Sequence, residues 1–270
     1  MEVRIITSSP ITLREYWKRF LKYKSLTWIF AWQEIKVQYA QTYLGIFWAV
    51  LRPLIILSIF TVLFSYLLKL QTSSPYYLFA FAGMIAWNFF SQIAAMASLS
   101  IIQKQDLIRK MYFPKAILPL SKTLVAAVEA LVSFAMLFIL MAYIRYPVSW
   151  SLLSLPFFIF LNICCGLAIA IWLSILNIRY RDLNHIIMPI IGIGIWFTPV
   201  FFPTTIIPAR YHFLLYFNPM AGVIAGYRYA LLGEPAPEAY YWVSFLVVFM
   251  LTLVAFRCLI CIEDKIVDAG

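Results

Sequence analysis

Long apolar runs alternate with short polar and basic ones along this chain. Five runs reach the roughly 20 residues that a helix needs to cross a bilayer: 44–68, 76–102, 117–143, 150–176 and 239–261. A sixth, 186–202, is shorter and apolar apart from Thr198. The pattern predicts an all-α integral membrane protein with six transmembrane helices. Its parts are an N-terminal segment over 1–43, a transmembrane domain over 44–262 and a tail over 263–270.

Two stretches depart from simple spans. In the first, Leu13, Tyr16, Trp17, Phe20 and Leu21 follow helical spacing opposite Arg14, Glu15, Lys18, Arg19 and Lys22. Thr12 and Glu15 have the spacing of a capping box. A basic amphipathic helix rich in aromatics lies in the membrane interface. A second segment carries Trp28, Trp32, Ile35, Tyr39 and Tyr43 on one stripe, with Lys36 beside it. Leu44 and Gly45 mark the bend into the first span. Two readings stay open: a simple anchor, or a mobile gate at the cytoplasmic side.

The second stretch, 201–235, is too apolar for a free loop, yet Pro203, Pro208 and Pro219 break it. Arg210, His212 and Arg228 make a lipid-exposed span there costly. Two short helices turning at Asn218-Pro219 fit best, as a re-entrant outer hairpin between spans five and six. Irregular backbone at that depth must be buried in protein or line a cavity. A seventh span would instead put the C-terminus outside.

Composition narrows the class. Hydrophobic residues make up 64% of the 270, and the mean hydropathy is +0.89, beyond the roughly 45–50% apolar content of soluble domains. The net charge of +10 follows topology and not a nucleic-acid surface. Fifteen Lys and Arg fall on one side of the predicted spans and four on the other, with Arg52 and Lys122 inside span ends. By the positive-inside rule both termini are cytoplasmic. The first 25 residues lack a signal-peptide core. Adjacent Cys164 and Cys165, the Cys258/Cys261 pair, and the distant His185 and His212 have no metal-site spacing, so no metal is expected.

No GxxxxGK[ST] phosphate loop occurs, and no nucleophile–base constellation stands out, so any uphill work draws energy from elsewhere. Glu129 is the acid deepest in a span. It needs a partner, and Ser133, one turn on, is the nearest in sequence. Proton coupling is the sharper alternative. Arg52 either snorkels or meets a lipid phosphate at the cytoplasmic interface. Asn88, Ser91, Gln92, Ala95 and Ser98 lie along one side of the second span, where they serve helix packing or a pore wall. Trp48, Trp87, Phe90, Trp196 and Phe197 lie deep enough to line a conduit, and sugar faces stack on such rings.

Between spans two and three, the stretch 105–122 is charged and proline-marked. Asp106, Arg109, Lys110 and Lys115 suit a cytoplasmic loop, but Met111, Tyr112 and Phe113 do not. A short helix at 105–112, stopped ahead of Pro114, would present Leu107, Ile108, Met111 and Tyr112 to a partner.

Several stretches together resemble the membrane subunits of ABC transporters in the polysaccharide and polyol-phosphate export family. They are QTYLGIFWAVLRPL (41–54), DLIRKMYFPKAILPLS (106–121), LNIRYRDLNHI (176–186), WFTPVFF (196–202), YFNPMAGVIAGYR (216–228) and the tail CIEDKIVDAG. Arg52 departs from the neutral residue that pattern would place there. The resemblance implies a homodimer in the inner membrane, paired with two copies of a separate ATPase subunit. It implies ATP and Mg on that partner, no cofactor in this chain, and a lipid-linked glycan as cargo: O-antigen, capsule or teichoic acid. It implies that Asp106 to Pro114 couple to the ATPase, that the interfacial helix guards the cytoplasmic side, and that Pro203, Pro208, Asn218, Pro219 and Arg228 form the outer gate; Arg52 joins the cytoplasmic gate on its own chemistry and not on the resemblance. A drug or small-lipid exporter, or a membrane enzyme acting on lipid-linked sugars, are the alternatives. The sparse acids, Arg and His at either face speak against the enzyme.

Overall fold

The structure is a computed structural model that describes residues 13–40, 47–111, 113–180 and 182–268. Leu44, Gly45 and Tyr112 lie outside the described residues, as do Thr12 and Tyr43; Tyr39 is described by its backbone alone. The described elements are helical. They run α1 (Leu13–Ala40), α2 (Phe47–Phe60), α3 (Tyr76–Gln103), α4 (Gln105–Lys110), α5 (Ile117–Tyr143), α6 (Leu155–Arg179), α7 (Leu183–Gly194), α8 (His212–Tyr216), α9 (Pro219–Leu232) and α10 (Tyr241–Asp268).

Five helical stretches are long and apolar enough to cross a membrane: Phe47–Leu67, Tyr76–Gln103, Ile117–Tyr143, Trp150–Asn177 and Tyr241–Ile260. They match the five long runs of the sequence closely. The sixth run is only partly helical, over His185–Phe197. Pro189 sits inside α7, and beyond Phe197 the chain leaves the helix, so the expected helix to 202 stops short.

α3 is the hub. Two thirds of its most apolar stretch is buried, and α2, α5, α6, α7 and α9 pack around it. Its small residues allow this. Ala80, Ala82, Ala86, Ala94, Ala97, Ser98 and Ser100 are fully buried, and side chains of that size let neighbouring backbones close in. Gly83 marks the tightest approach: a Cβ there would lie 2.7 Å from the Val200 carbonyl oxygen and 3.0 Å from Arg228 Nη2.

That approach seats Arg228. The guanidinium is buried; Nε donates to the Phe79 carbonyl (3.3 Å) and Nη2 to that of Val200 (2.7 Å). It also lies 3.4 Å above the Phe79 ring. Arg228 therefore pins α9 to α3 from inside the protein. α9 itself is framed by local chemistry. Asn218 caps it by accepting from the Met220 N–H (3.1 Å), Pro219 opens it, and Gly233 closes it in the left-handed region, the residue type that tolerates that geometry. Asn218 Nδ2 also donates to Thr198 Oγ1 (2.9 Å), tying the helix start to the α7 end. The helices flanking Asn218-Pro219 are where the sequence predicted them, although α8 spans only five residues.

At this end of the bundle, Ser73 and Ser74 donate to Glu234 (2.9 and 2.8 Å). Tyr146 donates to the Leu232 carbonyl (3.0 Å); burial and the nearby Glu234 carboxylate push its phenol upward, so it stays a neutral donor. An aromatic stack joins the same end. Phe60 lies 3.6 Å from Phe201 and 5.9 Å from Trp196. α2 widens there into a π-helical turn over Thr61–Leu67, with the Leu68 N–H reaching back five residues to Leu63.

At the opposite end, a second core joins α1, α3, α4, α5, α6 and α10. It contains Tyr16, Ile101, Ile108, Phe113, Ile117, Leu118, Ile171 and Leu259. Three expectations are corrected here. The N-terminal segment is one continuous helix, not two pieces. Its buried stripe includes Tyr16, Thr27 and Ala31, while Trp17 and Leu21 are exposed. The 105–112 helix ends at Lys110, and Ile108 and Phe113 turn inward instead of outward, because the apolar face of so short a helix is stabilised only by burial against its own bundle. Lys115 and Lys122 are likewise buried, Lys122 pairing with Glu34 of α1 at 2.6 Å.

Replacing Gly83 by Val should overpack the α3–α9 contact. We expect a loss of about 1–3 kcal/mol, seen as a lower thermal unfolding midpoint in detergent. Gly192→Ala, where nothing lies within 4 Å of an added Cβ, should leave the midpoint unchanged or raise it.

Candidate functional site

A polar cavity of about 470 Å³ opens between α1, α2, α3 and α5. From α2 come Trp48, Ala49, Arg52 and Pro53; from α3, Asn88, Ser91 and Gln92; from α5, Glu129 and Ser133; from α1, Gln38. Each helix contributes through its register. Asn88, Ser91 and Gln92 are three to four residues apart and share one face. Glu129 and Ser133 are one turn apart. Pro53 has no N–H, which frees the Ala49 carbonyl of its usual partner four residues on. On a rise of 1.5 Å per residue, Asn88 and Glu129 each lie about 18–21 Å from the helix ends nearest α9, near the middle of the spans.

Glu129 organises the site. Its Oε1 accepts from Gln38 Nε2 at 2.5 Å and its Oε2 from Gln92 Nε2 at 2.6 Å. The expected partner, Ser133, instead donates to the Glu129 backbone carbonyl (3.1 Å), as a hydroxyl one turn on in a helix readily does. The carboxylate therefore bridges three helices. Gln38 and Gln92 lie far from Glu129 in sequence, so no spacing rule could have found them. The pairing of Glu129 with amide donors gives no support to a proton relay.

The other predicted residues fall in different places. Arg52 is exposed at the cavity. Trp28, Trp32 and Lys36 form one exposed stripe on α1, with the two indoles stacked at 6.3 Å and Lys36 Nζ 5.5 Å from the Trp32 ring. Trp87 and Phe90 are buried against one another at 5.2 Å and do not line the cavity. Trp196 and Phe197 are exposed near the α9 end, and Trp196 packs on Phe60 and Phe201. Pro203 and Pro208 flank the short turn Thr204–Ile206. At α4, Asp106, Arg109, Lys110 and Met111 are exposed, Leu107 packs on the inner cluster, and Pro114 is buried. Among the described residues, no cluster of His, Cys, Asp and Glu could hold a metal.

The profile described as ABC-2 type transporter matches residues 25–232, well over half of the chain. The chain belongs to the ABC-2 type transporter family. It is a transporter membrane subunit and not a membrane enzyme. Two relatives named O-antigen export system permease protein RfbA are similar over most of its length. That of Myxococcus xanthus is 25% identical over 225 residues, 82% of this chain and 86% of the relative. One of Klebsiella pneumoniae is 25% identical over 224 residues, with the same coverage.

Glu129→Leu should leave the Gln38 and Gln92 amides unpaired, at a cost of about 1–3 kcal/mol, while Glu129→Gln should keep most of the stability. Gln38→Ala should release the second half of α1, and limited proteolysis within that helix should speed up while the bundle's unfolding midpoint moves little.

Proposed function

We propose that this chain is the membrane subunit of an exporter that moves a lipid-linked polysaccharide, O-antigen-like in type, across the cytoplasmic membrane. ATP is hydrolysed on a separate subunit. The observation that carries this reading is similarity along most of the chain to permeases named for O-antigen export. Two copies of the chain form the conduit, since a single bundle packed around a buried α3 leaves no channel for a sugar chain, and a two-fold interface supplies one. Two ATPase subunits sit below them.

Both termini face the cytoplasm, with α4 on the same side, in line with the Lys and Arg bias. α7 serves as a short sixth span. α9 has 14 residues, about 21 Å of helix, too short for a hydrocarbon core of about 30 Å. With α8 it forms a re-entrant hairpin at the outer face, held by Arg228 and Asn218. The first half of α1 lies along the inner interface and presents Trp17 to lipid, while its second half runs up α5 toward Glu129.

Force enters at α4. Its exposed charged residues and Met111 dock on the ATPase. Ile108 and Phe113 are embedded among the ends of α1, α3, α5, α6 and α10, so a push on α4 moves those ends together. Met111, and not Phe113, is therefore the informative position to change. Purified alone, the chain should hydrolyse no ATP, whereas the complex with its ATPase partner should. Met111→Asp should keep ATPase activity in the complex while export falls several-fold; Phe113→Asp should fail to fold. ATP hydrolysis by the isolated chain, or normal export by Met111→Asp, would contradict this arrangement.

A further inference from the structure

The cavity beside Glu129 holds more hydrogen-bonding capacity than its own helices consume. Gln92 keeps its amide Oε1 out of solvent with no hydrogen-bond partner among the described residues, although its Nε2 is committed to Glu129. A buried acceptor left in that state is costly, but this one is shielded from the open space, so the polar groups that face a ligand are those of Asn88, Ser91, Glu129 and Ser133 around the cavity. We propose that this cavity binds one neutral sugar ring of the cargo, with Glu129, Ser91 and Asn88 meeting ring hydroxyls, Trp48 offering its face, and Gln38 as the displaceable cover. The proposal rests on the glycan-export reading and names a step within it.

The chemistry selects the ligand class. A carboxylate only accepts, whereas amides and serine hydroxyls both donate and accept. A sugar hydroxyl also does both, so a polyhydroxylated ring can use every group in the wall. An anionic ring would meet the Glu129 carboxylate, and a cationic one would meet Arg52. Neutral rings meet neither cost. About 470 Å³ lies within the roughly 300–1,000 Å³ of small-molecule sites. It has ample room for a sugar ring, so the cavity can address a unit of the cargo.

Gln38 gives the site its way in. It is the contribution of the peripheral helix α1, and it is exposed, whereas Gln92 is partly buried on the hub helix. A sugar hydroxyl that donates to Glu129 Oε1 replaces the Gln38 bond one for one. Binding therefore frees the second half of α1 from α5, leaving the Lys122–Glu34 pair as its remaining polar tie in that half among the described contacts. Occupancy of the cavity and release of α1 are one event.

The test uses the complex of this chain with its ATPase partner in detergent. The four native cysteines are replaced by alanine, and Ser133→Cys places a thiol in the cavity wall. The rate of labelling by a small methanethiosulfonate reagent is followed with and without glucose, galactose, mannose or N-acetylglucosamine, and with glucuronate or glucose 6-phosphate. At least one neutral monosaccharide should slow labelling several-fold and the two anions should not. Adding Asn88→Leu should abolish the protection. If the Ser133→Cys complex does not assemble, Ser91→Cys reports from the α3 side of the cavity. Labelling untouched by every neutral sugar, slowed equally by the anions, or absent at both positions overturns the proposal. Export is read in parallel with the same complex reconstituted into sealed vesicles: glycan export there without protection sinks the sugar site alone. A complex that shows protection but moves no glycan with ATP sinks the export reading.

Discussion

A carboxylate near the middle of a membrane span has to be hydrogen-bonded or it destabilises the fold by several kcal/mol. Glu129 meets that constraint through donors from two other helices, Gln38 of α1 and Gln92 of α3. Much of the architecture follows from this bridge. α1 cannot lie freely on the membrane surface, because its second half is drawn along α5 by Glu34–Lys122 and then by Gln38–Glu129. α2 faces the bridge with Trp48, Ala49 and Arg52, and the space between is the polar cavity. Without Glu129, helices of this composition could close on one another through apolar packing alone.

The bundle's two ends are held together by different kinds of contact. At the α9 end, polar locks to backbone carbonyls fix a short helix against the hub: Arg228 to Phe79 and Val200, Tyr146 to Leu232, Tyr76 to Phe201. Such bonds are directional and resist sliding. At the α4 end, the contacts are an apolar cluster with Ile108 and Phe113 at its centre. An apolar cluster holds its members together without such directionality.

The sequence made the spans legible because lipid imposes one simple rule, about 20 apolar residues per crossing, and the five long runs obey it. The breaks at Asn218-Pro219 and the cap residues around α9 were equally readable, since they act through neighbours along the chain. Long-range pairings were not. Glu129 advertised its need for a partner, but the donors lie 91 and 37 residues away. Lys122 reads in the sequence only as a basic residue inside a span end, because its partner Glu34 lies far away along the chain. The α4 region misled for a different reason. Apolar residues in a charged loop signal burial, and composition cannot say whether they bury against a partner or against the chain itself; Ile108 and Phe113 do the latter, leaving Met111 outside.

The central claim is that this chain carries a lipid-linked glycan across the membrane. It is tested most directly by depleting the chain in its host and measuring which face of the cytoplasmic membrane holds the lipid-linked glycan. Right-side-out and inverted vesicles probed with a membrane-impermeant lectin make the distinction. The account predicts that finished glycan accumulates on the cytoplasmic face and disappears from the outer one. Glycan that still reaches the outer face at the normal rate after depletion would contradict it.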